Sequence, residues 1–156
     1  MNTSLAGMPV WNLRPEDRLI ILCMHGSRHQ WARLSWLCDI AMLVEKYPEL
    51  NWEEIEAIAQ HWGSQRMLYL GLHLAHILLE VSLPKVILRY IEADSAVAQL
   101  RREVCEQRFS ICPSQRFLAS TRYQIQVRER WKDKAACAQS LIHWLMKGRP
   151  SEHHVA

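Results

Sequence analysis

The stretch Trp31-Ala32-Arg33-Leu34-Ser35-Trp36-Leu37-Cys38-Asp39-Ile40-Ala41-Met42-Leu43-Val44-Glu45-Lys46-Tyr47 decides the fold class. Leu34, Leu37, Cys38, Ala41 and Val44 recur at the spacing of one helix face, and Trp36, Ile40 and Leu43 add a second apolar flank. Such a segment predicts a central helix with neighbours on more than one side. Pro48 stops it, since proline lacks the N–H that the helical ladder needs and restricts the residue before it.

The flanking sequence carries the same period. Downstream, Asn51 and Glu54 form a capping-box pattern for a helix with Trp52, Ile55, Ile58, Ala59 and Trp62 inward, and Gly63 ends it. Ser64 is the candidate cap of the next helix, which runs to about Val81 before Ser82 and Pro84 break it. Pro84 can open a short helix through Tyr90 to Glu92, and Asp94 or Ser95 can cap another with Val97, Leu100 and Val104 inward. Past Pro113, the stripe Tyr123, Val127, Trp131, Ala135, Ala138, Ile142 and Leu145 keeps helical spacing for about six turns, with Asp133 as a cap if the rod is broken. Tyr123, Ile125 and Val127 also alternate as a strand would, but too briefly to displace the helical reading. Upstream, Arg14-Pro15-Glu16-Asp17 reads as a first helical turn, with proline where its missing N–H is harmless and carboxylates at the positive end of the helix dipole. That start assigns the apolar run Leu19 to Met24 to a helix, although periodicity alone does not distinguish it from a buried strand.

Composition agrees. With 156 residues, 49% of them apolar and 22% charged, the chain fits one globular domain. Five glycines and six prolines are few for the turns of an all-β chain of this length. The expectation is an all-α irregular bundle of about six to eight helices. Residues 1–13 would form a lead-in, 14–147 the helical domain and 148–156 a flexible tail. Cys23, Cys38, Cys105, Cys112 and Cys137 are odd in number and contain no Cys-x-x-Cys pair, so buried thiols in a reducing compartment are expected. The longest apolar stretch, Met67 to Val81, is interrupted by His73 and His76 and is shorter than the roughly 20 residues of a membrane span. The N-terminus has no secretory pattern, and the expected location is the cytoplasm.

The net charge of +3 hides an asymmetry: Lys and Arg against Asp and Glu number 8 against 11 in residues 1–100, and 11 against 5 in residues 101–156. The basic last third would face nucleic acid, a nucleotide, or the acidic first part of the same chain. Arg116, Arg122, Arg128, Arg130, Lys132 and Lys134, interleaved with Phe117, Tyr123 and Trp131, are the candidate basic surface. A solvated helix face is the default for them, because no named nucleic-acid-binding motif is present. Trp31, Trp36, Trp52, Trp62 and Trp131 fall near apolar stripes, so core packing is expected of them.

The most informative segment runs from His25-Gly26-Ser27-Arg28-His29-Gln30-Trp31 to Trp36-Leu37-Cys38-Asp39. Gly26-Ser27 followed by Asp39 superficially matches a nucleotide-binding turn with a metal ligand beyond it. The match fails chemically, because magnesium needs convergent oxygen ligands and Asp39 is followed by Ile40 and Ala41. His25 and His29, four apart, can share a zinc ion if Asp39, His73 or His76 supplies a third ligand, but no complete ligand motif is visible and structural histidines are the simpler reading. Arg66, Tyr69, His73, His76 and Glu80 sit three or four apart on one stripe of an otherwise apolar helix. If the first and fourth helices pack together, His25 and His29 would face that stripe across a polar groove, the leading candidate site.

The run His25-Gly26-x-x-His29-x-Trp31-x-x-Leu34-x-Trp36-Leu37-x-Asp39-Ile40 resembles the signature of a largely uncharacterised family of bacterial nucleotidyltransferase-like proteins. Leu13-x-Pro15-Glu16-Asp17, Asn51-Trp52, Gly63 and Arg66 fit the same pattern, and a looser likeness extends from about Leu5 to Lys147. The resemblance implies a nucleotidyltransferase domain placed first, carrying the catalytic carboxylates, and a helical region after it; this sequence starts where the first domain would be finishing. None of its residues is carried over as catalytic. Magnesium and a nucleoside triphosphate would belong to the absent domain, and no cofactor or metal is assigned to this chain. What the resemblance implies is a helical companion that shapes an acceptor-substrate cleft or docks a catalytic partner, with His25, Arg28, His29, Trp31, Trp36 and Asp39 as the motif positions. A separately encoded nucleotidyltransferase domain or a second copy of the chain is the expected partner; nucleic acid is a less favoured one and a membrane is not expected. A small basic nucleic-acid-binding protein and a histidine-ligated metal protein are the rival readings.

Overall fold

The computed structural model describes residues 2–5, 8–107 and 113–146. Among these, eight helices form an all-α bundle: α1 (Pro15–Arg28), α2 (Ser35–Lys46), α3 (Trp52–Trp62), α4 (Gln65–Leu79), α5 (Lys85–Ala93), α6 (Ser95–Gln107), α7 (Pro113–Gln126) and α8 (Trp131–Met146). The lead-in is more ordered than its sequence suggests. β1 (Asn2–Leu5) and β2 (Met8–Trp11) pair antiparallel, with Asn2 opposite Trp11 and Leu5 opposite Met8. The tail beyond Met146 lies outside the described residues, as does Cys112.

The central helix is α4, not α2. Met67, Leu68, Leu70, Leu72, Leu74 and Ala75 are all buried, and α1, α2, α3, α5 and α6 pack around it. A helix apolar on nearly every side is stable only when surrounded. α2 buries Ile40 and Leu43 of its second flank but leaves Trp36 half-buried and Met42 exposed, so one side of it faces solvent.

Sequence signals at the helix ends mostly act as written. Pro15 opens α1, and Glu16 and Asp17 occupy its first turn. The Asn51 side chain accepts a 3.1 Å hydrogen bond from the Glu54 N–H, while Gly63, at φ 66°, takes the left-handed turn that closes α3. Asp94 Oδ1 accepts from the Ala96 N–H at 2.9 Å at the start of α6. Ser64 departs from expectation: its hydroxyl donates back to the Ala59 carbonyl, and the Glu129 carboxylate, distant in sequence, accepts the Arg66 N–H at the start of α4. A longer side chain from the connection between α7 and α8 has replaced the local cap.

The long C-terminal stripe is two helices. Tyr123 to Gln126 is helical, so the strand rival fails, but the rod breaks between Gln126 and Trp131. α8 restarts with the N–H groups of Asp133 and Lys134 donating to the Arg130 carbonyl, so Asp133 sits in the first turn and not at the cap. The break explains Trp131, which is 73% exposed where the sequence suggested core. Trp62 is also exposed and Trp36 and Trp52 half-buried, leaving Trp31 as the fully buried member of that set. Cys23, Cys38, Cys105 and Cys137 are free thiols, and burial pushes the Cys23 thiol far above its ordinary pKa.

Candidate functional site

The His25–Trp31 segment is the end of α1 and the turn after it. Trp31 N–H donates to the Gly26 carbonyl at 2.9 Å and Gln30 N–H to the Ser27 carbonyl at 3.2 Å, the paired bonds of a Schellman closure. Glycine usually occupies the left-handed position of such a closure; here Gln30 (φ 54°) and Trp31 (φ 55°) both do. Two non-glycine residues in that region cost about 1 kcal/mol or more each, so surrounding contacts must enforce them.

The enforcing contacts are visible. The turn throws the Trp31 indole back onto its own helix, where a Cβ at Gly26 would lie 2.2 Å from the ring, and against α4, where a Cβ at Gly71 would lie 2.9 Å from it. Two glycines on two helices thus form the slot for one indole. α7 grips the same turn from outside: the Gln30 side chain donates to the Ser120 hydroxyl, and the Gln124 side chain donates to the Arg28 carbonyl at 2.9 Å. Tyr123 reaches the interior beside Ser27 and Trp31, and burial raises its phenol well above the ordinary value although both neighbours oppose the shift.

The other half of the motif points outward. His25 and His29 have ring centroids 4.7 Å apart, and Trp36 from α2 stands edge-on to His25 at 5.1 Å and 5.4 Å from His29. Asp39 is exposed one helical turn beyond Trp36, and the Arg28 side chain is exposed at the mouth of a cleft of about 560 Å³ shared with Trp62, Met67 and Arg128. Four side chains of the motif, His25, His29, Trp36 and Asp39, therefore share the α1–α2 side of the molecule. None of them has a side-chain hydrogen bond or ion pair within the described residues.

The expected groove between α1 and α4 does not form, for a geometric reason. Gly71 marks the side of α4 that meets α1 through Cys23 and Trp31. At about 100° per residue, Arg66, Tyr69, His73, His76 and Glu80 lie about 140–220° around the helix from Gly71, on its far side. Each finds other neighbours there. Tyr69 donates to Glu56 Oε2 at 2.7 Å and packs near Tyr90, His76 Nδ1 meets the Val81 carbonyl at 2.7 Å, and Glu80 is an exposed left-handed residue closing α4. His73 is half-buried, and burial, reinforced by the charges of Arg101 and His76, lowers its pKa against the opposing Glu92. The sequence gives the stripe correctly, but the rotation of α4 about its axis is set by contacts distant in sequence, the Trp31 slot among them.

Arg66 is a structural hub. It pairs with Asp94 at 2.8 Å, donates to the Gln126 carbonyl at 2.9 Å, and its own N–H is held by Glu129, whose carboxyl pKa burial raises. The basic surface is likewise partly spent inside the fold. Arg130 lies across Gly63 and donates to the Gln60 and His61 carbonyls, satisfying the orphan acceptors at the end of α3. Arg128 donates to the Gln124 carbonyl at the end of α7. Arg122 is exposed with a 3.9 Å approach to Glu103, and the Lys132 and Lys134 side chains make no hydrogen bond or ion pair among the described residues; the Arg116 side chain lies outside the described residues. These bonds were not legible in sequence, because carbonyl acceptors leave no residue-type signature.

A family described as uncharacterised nucleotidyltransferase matches residues 1–80. The chain belongs to that family. The match spans β1 to the end of α4 and contains the whole His25–Asp39 motif, whereas the looser likeness expected out to Lys147 is not part of it. No curated protein and no solved structure matches the chain.

Nucleotidyltransferase family membership raises the question of magnesium. Among the described residues, no three His, Cys, Asp or Glu side chains are arranged to hold a metal ion. Asp39 is exposed on α2 and is followed by the buried Ile40 and Ala41, without the convergent oxygens that magnesium requires. Among the described residues the donor set does not fit the ion, and no third ligand for zinc stands beside His25 and His29. No described helix is long and apolar enough to cross a membrane.

Proposed function

We propose that this chain is a non-catalytic helical part of a nucleotidyltransferase-like protein, which shapes the acceptor side of a transfer cleft or docks the domain that performs the chemistry. One observation carries the reading: the motif divides into a buried half that builds a strained turn and an outer half, the exposed His25, His29 and Asp39 with the half-buried Trp36, whose side chains make no hydrogen bond or ion pair among the described residues. Gly26 and Trp31 hold the turn; His25, His29, Trp36 and Asp39 are displayed by it. Rigid presentation of imidazoles, an indole edge and a carboxylate suits recognition of a hydroxyl- or amine-bearing partner surface. Ile21 and Met42, exposed one turn away on the same helices, add apolar contact area. In this reading, magnesium and the nucleoside triphosphate are held by a separate nucleotidyltransferase domain.

The test has two arms. The pure chain, incubated with labelled nucleoside triphosphates and magnesium, should transfer no label; robust transfer overturns the reading. A polypeptide encoded immediately upstream, if it carries a Gly-Ser turn and paired aspartates, should bind the chain in calorimetry. His25→Ala, His29→Ala and Asp39→Ala should weaken that binding without changing stability, and unchanged binding in all three removes the docking role from this face.

A further inference from the structure

A second cleft, of about 610 Å³, opens on the far side of α4 between α3 and α5. Its volume lies within the roughly 300–1,000 Å³ of small-molecule sites. Trp52, Tyr69 and Tyr90 supply aromatic walls, Glu53 and Glu56 supply carboxylates, and no lysine or arginine lines it. Glu53 has a local role, since an acid in the first turn of α3 complements the helix dipole. Glu56 has no such explanation. Its Oε2 accepts from the Tyr69 hydroxyl at 2.7 Å and from the Gln65 amide at 3.3 Å, while Oε1 is shut off from solvent without a donor. No cation among the described residues pairs with it.

A half-buried carboxylate with an oxygen shut off from water normally has both oxygens satisfied and its charge offset. Two neutral donors on one oxygen leave this one short of both. The terminal torsion of a glutamate is soft, so a modest rotation turns the unpartnered oxygen into the cleft. There it would sit beside aromatic faces, which attract cations through their quadrupoles. We propose that this cleft binds a small organic cation, an alkylammonium or guanidinium group whose charge pairs with Glu56 and whose carbon frame lies between Trp52, Tyr69 and Tyr90. The inference is independent of the motif on α1 and α2, since the cleft faces away from it.

Calorimetry of the full chain at low salt with agmatine, spermidine and benzyltrimethylammonium tests it, with succinate as the anionic control and a lysine-containing peptide to separate a free cation from a protein side chain. At least one of the three cations should bind saturably, with a dissociation constant on the order of 1 mM or tighter. Glu56→Gln, which keeps an acceptor for Tyr69 and Gln65, and Tyr90→Ala, which alters a largely exposed residue, should each weaken binding about tenfold. Glu106→Gln, on exposed α6 surface, should leave it unchanged. Circular dichroism confirms that the variants are folded. Absence of saturable binding by all three cations, parent-like affinity in Glu56→Gln and Tyr90→Ala, or binding of the peptide alone overturns the proposal.

Discussion

The Trp31 indole occupies the space that a side chain at Gly71 would need: a Cβ there would lie 2.9 Å from the ring and 2.7 Å from Cys23 Sγ. This contact fixes how α1, the turn after it and α4 meet. Replacing Gly71 by alanine gains about 1 kcal/mol of helix propensity. Overpacking opposes that gain by about 1–3 kcal/mol, and here the obstacles are a ring and a sulfur held in the core. Gly71→Ala is therefore expected to destabilise modestly, and Gly26→Ala, whose Cβ would lie 2.2 Å from the same ring, more severely. Urea denaturation ranks the two; a stabilised Gly26→Ala would refute the slot.

The motif should separate cleanly under mutation. Trp31→Ala empties a fully buried site and should cost about 3–5 kcal/mol. His25→Ala, His29→Ala and Asp39→Ala alter exposed side chains without internal hydrogen bonds and should stay within about 0.5 kcal/mol of the parent. Thermal unfolding of all four proteins checks the contrast, and a large loss at Asp39 would reveal a structural partner for it.

Arg66→Lys should fail to rescue Arg66→Ala. The guanidinium bonds Asp94 with one nitrogen and the Gln126 carbonyl with another, a forked geometry that a single ammonium does not reproduce. Either substitution should cost about 1–3 kcal/mol, because a half-buried carboxylate and a backbone carbonyl lose their donor. Equal stability of the lysine variant and the parent in urea titration would show that charge alone suffices.

His73 should make the fold acid-sensitive. Its folded pKa lies below the ordinary imidazole value because of burial first, then the charges of Arg101 and His76. Between the lowered and ordinary values the unfolded chain binds more protons than the folded one, so stability rises with pH through that window and is lost as the solution is acidified through it, with no further contribution from His73 once both states are protonated. His73→Asn removes the titrating group, and the dependence of unfolding free energy on pH should flatten there. An unchanged slope would assign the acid sensitivity to other groups.

Much of the architecture was legible locally. The Asn51 and Asp94 side-chain caps, the Pro15 and Pro84 starts and the Gly63 stop each depend on residues within a few positions of one another and act as the sequence indicates, whereas the reciprocal half of the Asn51–Glu54 capping box does not form, because the Asn51 N–H donates to Glu16 and Glu54 pairs with Arg14. Ser64 did not, because Glu129 supplies the acceptor from 63 residues away. The candidate site divided in the same way: spacing placed His25 and His29 on one face and Tyr69, His73 and His76 on another, but gave no means of knowing that those faces look apart.

Sequence alone determined that the chain is helical, where most of its helices start and stop, and that it resembles a nucleotidyltransferase family, because periodicity, capping and residue spacing are properties of neighbouring residues. Tertiary structure decided which helix is central, which way each polar stripe points, and that Arg66, Arg128 and Arg130 are bound to the fold's own carboxylates and carbonyls. The physical reason is that a helix can turn about its axis without changing its own hydrogen bonds. Contacts distant in sequence select one rotation, among them the fit of Trp31 between Gly26 and Gly71, the Arg66–Asp94 pair and the Tyr69–Glu56 bond.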